Sequence, residues 1–96
     1  PPTTVDEAVV KLISEMQLHD RVELANLKKE ELARLDVSLG RYINDQLLRN
    51  GINRALFESC ITISGNDSLN ETDAAFVIIE KLWGKLKETH RLRILK

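Results

Sequence analysis

The sequence is poor in the residues that most often carry chemistry. It holds one cysteine, Cys60, so no internal disulfide can form and no thiolate metal cluster is possible, which fits a reducing compartment. Its two histidines, His19 and His90, belong to no HExxH or His-rich pattern. There is no GxSxG elbow, Walker-type phosphate loop, dinucleotide fingerprint, internal repeat or low-complexity tract. The longest uncharged apolar run, Ala74 to Ile79, falls far short of the roughly 18–20 residues a bilayer span requires. Net charge is −1, so the chain as a whole has no general attraction for a polyanion.

What is present describes a single globular domain. Its 96 residues are 43% hydrophobic and 30% charged, a balance that argues against both disorder and a membrane protein. Charge is unevenly spread: positions 1–36 hold eight acids and five bases, while positions 81–96 hold six Lys/Arg against Glu88 alone. The basic end suits a helix C-terminus, whose partial negative charge favours cations, better than it suits a polyanion site. The expected location is cytoplasmic; a chain that starts at Pro1 is also compatible with a removed signal peptide.

Apolar spacing predicts an all-α bundle of four to five helices. After a lead-in over 1–3, Thr4-Val5-Asp6-Glu7 has capping-box spacing: the Thr4 hydroxyl can accept from the Glu7 N–H while the Glu7 carboxylate reaches back to Thr4. Ala8, Val9, Leu12, Ile13 and Met16 then give a helix to Gln17 or Leu18, and a short helix is expected around Val22–Leu27. Leu32, Leu35, Leu39, Tyr42, Ile43 and Leu47 recur in steps of three and four, which predicts one long helix over about 29–49, stopped by Asn50-Gly51. Gly40 in its middle points to a close neighbour. Asn53 and Asn70 read as caps of two further helices, separated by the Ser64–Ser68 loop, and the last helix is placed at about 71–88. The two long helices are expected to form the centre. The end, 89–96, is expected to cover the core or a second subunit through Leu92, Ile94 and Leu95.

Site candidates are few. Cys60 falls on an apolar face and reads as a small hydrophobe rather than a nucleophile. His19 and Asp20, with His90, are the only approach to a metal site and read as surface residues, so no metal or cofactor is expected. Arg41 and Asp45 have i,i+4 spacing for an exposed ion pair, and Asn44 beside them is placed to tie down the loop that follows. Trp83 reads as core or as an interface anchor.

The strings Thr4-Val5-Asp6-Glu7-Ala8-Val9, Leu39-Gly40-Arg41-Tyr42-Ile43-Asn44 and Ile78-Ile79-Glu80-Lys81-Leu82-Trp83 together resemble a family of small uncharacterised bacterial helical proteins. That family's pattern is an EEAV-like start, a central LGxxIxN helix and a C-terminal IIxxLW helix. The resemblance implies an all-helical domain and brings no activity with it. This chain departs from the pattern at Asp36, where a histidine would precede the Leu-Gly pair, and in having no Arg before Asn44. The function expected is a non-enzymatic helical protein-interaction module, pairing with itself or another protein. The alternative is a nucleic-acid-associated regulator that uses the basic C-terminal segment or a helix-turn-helix around Asn50–Cys60. The second helix of that hairpin carries Arg54 as its one base, poor equipment for a DNA groove.

Overall fold

In the computed structural model the chain is all-α, and the backbone is described for residues 1–94 and side chains for 1–89. Helix α1 spans Val5–Glu15, α2 Leu18–Ala25, α3 Leu39–Ile43, α4 Arg54–Ser64 and α5 Glu71–Ile94. Between α2 and α3 runs a 3₁₀ helix, Lys29–Val37; after α3 come a π-helical turn, Asn44–Leu48, and a short turn, Arg49–Gly51. No strand occurs among the described residues.

Helix α5 is the axis of the bundle, and it touches α1, α2, α3, α4, the 3₁₀ helix and the π turn. Ile78, Ile79, Leu82 and Leu86 are almost completely buried, each worth roughly 1.5–3 kcal/mol relative to exposure. Leu32, Ile43, Leu47 and Leu48 meet them from the central segment, Val5, Ala8 and Leu12 from α1, and Leu56 and Cys60 from α4. These side chains form one core cluster.

The expected helix over 29–49 is replaced by three kinds of helix in succession. The apolar spacings run alongside this order. Leu32 and Leu35 lie three apart, the spacing that a 3₁₀ helix stacks in register; Leu39 and Ile43 lie four apart, within α3; Ile43 and Leu48 lie five apart, across the π turn. Leu32, Ile43, Leu47 and Leu48 are buried in the core, and Leu35 and Leu39 pack partly against it. Tyr42, expected on the apolar side, is exposed.

The segment ends in a left-handed turn. Arg49 (φ 55°) and Asn50 (φ 55°) are followed by Gly51 (φ 91°), three consecutive residues in a region that costs most side chains about 1–2 kcal/mol. The turn is held on both flanks: the Arg49 N–H donates to the Asn44 carbonyl and the Asn53 N–H to the Leu48 carbonyl. A Cβ at Gly51 would come within 2.7 Å of the Glu71 carboxylate, so the turn sits against the start of α5.

Capping follows the sequence closely. The Thr4 hydroxyl accepts from the Glu7 N–H at 3.2 Å, but the Glu7 carboxylate reaches the N–H and hydroxyl of Thr3 rather than Thr4. Those Thr3 bonds hold the Glu7 pKa below its ordinary value. The lead-in is better anchored than expected: Pro2 is buried, and its carbonyl accepts from Asn53 Nδ2 at 2.9 Å. The same amide group donates to the Leu47 carbonyl at 2.8 Å, and Asn53 Oδ1 accepts from the Leu56 N–H. Asn53 thus joins the N-terminus, the π turn and α4. Asn70 and Asp73 cap α5 reciprocally. Helix α1 ends at Glu15, earlier than expected, α2 begins at Leu18, and α5 continues past 88 to Ile94.

Two outcomes follow. Asn53→Ala should lower unfolding free energy by about 2–4 kcal/mol, a lost cap plus two orphaned carbonyls, read as a reduced urea midpoint at unchanged m-value. Arg49→Gly should instead stabilise by about 0.5–1 kcal/mol, because glycine accepts the left-handed conformation without steric cost.

Candidate functional site

Two concavities border α5. The first is a cavity of about 270 Å³ where the central segment meets the start of α5, lined by Asp36, Gly40, Arg41, Asn44 and Thr72 among others. Asp36, Gly40 and Asn44 recur at steps of four, so three different helix geometries still bring them to one side. Asp36 Oδ1 and Asn44 Oδ1 are both shut off from solvent, and neither accepts a hydrogen bond. A buried acceptor without a donor costs about 1–3 kcal/mol. A second depression, of about 400 Å³, adjoins the first and shares Asp36 and Thr72.

Asn44 is held by its other amide atom. Its Nδ2 donates to Asn50 Oδ1 at 3.4 Å, joining the π turn to the left-handed turn. Gly40 is crowded by its own segment: a Cβ there would stand 3.3 Å from Asp36 Oδ1 and 3.6 Å from the Leu35 carbonyl. Of the three polar residues singled out by sequence, Arg41 and Asn44 line this cavity and Asp45 does not. No ion pair joins Arg41 to Asp45, and the π turn begins between them. Sequence reading missed Asp36, treating it only as a departure from a pattern; its four-residue step to Gly40 and again to Asn44 was the available signal.

The second concavity is an open groove between α1 and α5, about 740 Å³, with Val9, Val10, Trp83 and Gly84 along its base. Asp6, Glu80, Glu88, Lys29, Lys81 and Lys85 line it, three acids and three bases. Val10 is 64% exposed. Trp83 is half-buried; its ring N–H donates to the Leu27 carbonyl at 2.9 Å, and the Lys87 ammonium lies 5.0 Å from the ring centroid. The ring is therefore both packed on the core and present in the groove. Leu92, Ile94 and Leu95, the other interface candidates, lie outside the residues whose side chains are described.

The remaining candidates are ordinary in their surroundings. His19, Asp20 and Glu23 bring ligand-type atoms within 4.8 Å of one another on α2, and all three are exposed, as on any solvated helix surface. The His90 side chain is outside the described set. On α4 the one base, Arg54, pairs with Glu58 at 3.7 Å, which offsets its charge towards a phosphate. Cys60 is buried, its thiol directed at the Ala74 carbonyl at 3.5 Å. Burial pushes its pKa from 9.0 up to about 11.

No protein-family model, no curated protein sequence and no solved structure matches this chain.

The Cys60 environment gives a direct check. In native protein the thiol should resist Ellman's reagent at pH 8 and react at once in denaturant. Because the folded pKa lies above the unfolded one, the contribution of the buried neutral thiol to stability is complete below about pH 9 and declines from about pH 9 to 11. A Cys60→Ala variant should lack that alkaline component of the stability profile.

Proposed function

We propose that this chain is a non-enzymatic helical interaction module that pairs with a second copy of itself through the groove between α1 and α5. The observation that carries the reading is the mixture of charge in that groove, three lysines and three carboxylates around an apolar base that includes the half-buried Trp83 and exposed Val10. A twofold contact sets one patch against itself, so it needs both signs within the patch; a site for nucleic acid needs one. The register of α5 supplies the pairing. An antiparallel crossing with its axis between Gly84 and Lys85 sets Lys81 of each copy opposite Glu88 of the other. Gly84 lies at the crossing point, and a Cβ there would meet no atom within 4 Å, which leaves room for a close approach.

Sedimentation equilibrium across concentrations up to about 1 mM tests this, a range that reaches dissociation constants near the weak limit of specific pairing. Reversible dimers are expected. Lys81→Glu should abolish them, and Lys81→Glu combined with Glu88→Lys should restore them. A monomer at every concentration, or a double variant no better than the single one, would overturn the reading.

A further inference from the structure

Asn50 is the one asparagine of the chain with glycine after it. The backbone nitrogen that follows an asparagine can attack the side-chain carbonyl carbon and close a five-membered ring. A side chain on that following residue obstructs the approach, and glycine carries none. Asn50 is also exposed, so ammonia can leave and water can enter. The fold, however, holds the two reacting atoms apart. At φ 55° and ψ 37° the Gly51 nitrogen is turned almost to the opposite side of the Cα–C bond from the Asn50 Cβ, whereas ring closure needs the two nearly eclipsed. We propose that Asn50 is a site of spontaneous, one-way modification and that the left-handed turn is its guard: the turn must open before the ring can close.

The turn is braced where this matters. The Arg49 N–H donates to the Asn44 carbonyl, the Ile52 N–H to the Arg49 carbonyl at 3.1 Å and the Asn53 N–H to the Leu48 carbonyl at 3.1 Å. Asn44 Nδ2 holds Asn50 Oδ1 itself, at 3.4 Å. The glycine that makes the site labile is also one the turn requires: Gly51 stands at φ 91°, and a Cβ on it would meet the Glu71 carboxylate at 2.7 Å. Lability and fold rest on the same residue.

In the opened turn the Gly51 nitrogen loses its proton to water and bonds to Asn50 Cγ. The Cγ–Nδ2 bond breaks, and Nδ2 departs as ammonia with a proton from water. A second water then opens the succinimide. Addition at Cγ leaves aspartate, with the main chain as before and an oxygen still there to accept from Asn44 Nδ2. Addition at the backbone carbonyl leaves isoaspartate, in which the main chain runs through Cβ and Cγ and is one atom longer. The Ile52-to-Arg49 and Asn53-to-Leu48 bonds both span residue 50, so the longer chain breaks their register. Asn53, which joins Pro2, Leu47 and α4, is loosened with them. A chain whose turn has opened is thereby marked and barred from closing it.

The test is incubation of the protein at mildly alkaline pH, native and in guanidinium chloride, followed by peptide mapping with electron-transfer fragmentation, which separates isoaspartate from aspartate. In denaturant Asn50 should be modified faster than every other asparagine. In native protein its rate should fall at least about tenfold, because only the open fraction of turns reacts. Asn44→Ala should raise the native rate at least about threefold and leave the rate in denaturant unchanged. The isoaspartyl protein, isolated by ion exchange, should show a reduced urea midpoint, and Asn50→Asp a midpoint close to that of the unmodified chain. If Asn44→Ala fails to fold, the ratio of native to denatured rates and the isoaspartyl midpoint still decide the matter. Equal rates with and without denaturant, another asparagine leading in denaturant, a folded Asn44→Ala protein no faster than its parent, or an isoaspartyl product of unchanged midpoint would overturn the proposal.

Discussion

Helix α5 gives up Ile78, Ile79, Leu82 and Leu86 to the interior over three turns, with Ala74 and Ala75 closing the end nearest the loop. In a chain this short, which buries only roughly 60–65% of its unfolded surface, one helix with that much apolar area must be wrapped from several sides. All the other helices do so, and none forms a separate centre. Even the ring N–H of Trp83, on the flank of α5, is used to hold the Leu27 carbonyl and so the approach to the central segment.

The central segment shows what that constraint costs. Over 29–48 the chain tightens to 3₁₀ spacing, passes through one short α-helix and then loosens to π spacing. Poorer hydrogen-bond geometry and a left-handed Arg49-Asn50-Gly51 turn accompany the full burial of Ile43, Leu47 and Leu48. The same irregular stretch holds the two partnerless buried oxygens, Asp36 Oδ1 and Asn44 Oδ1, on one side of the crowded Gly40. Strain and unsatisfied polarity thus coincide in one place, whereas the groove along α1 and α5 is built on regular helix.

Much of the fold was legible because its signals are local. Thr4, Asn53 and Asn70 cap helices through side chains that reach only three residues along the chain, and Gly65 closes α4 in the left-handed conformation (φ 72°). The apolar steps of α5 fixed its place in the core. The switches of helix type were not legible, since steps of three and four fit an α-helix as readily as a 3₁₀ helix running into one; the distinction is made by contact with α5. The same holds for the candidate site. Arg41 and Asn44 were picked out by type and position; Asp36 lines the same cavity and was signalled only by its four-residue steps to Gly40 and Asn44, and Asp45, adjacent in sequence, does not line it. Pro2 is a further case, buried and bonded through its carbonyl to Asn53, 51 residues distant.

That α5 is the element on which the irregular segment depends can be measured by native-state amide hydrogen exchange under conditions where exchange reports opening free energy. The amides of Ile78, Ile79 and Leu82 should be the slowest, opening only with global unfolding, and those of residues 29–48 should never be better protected than these. Protection that persists over 29–48 while the α5 amides exchange through a lower-energy opening would show that the central segment stands by itself, and would contradict the account.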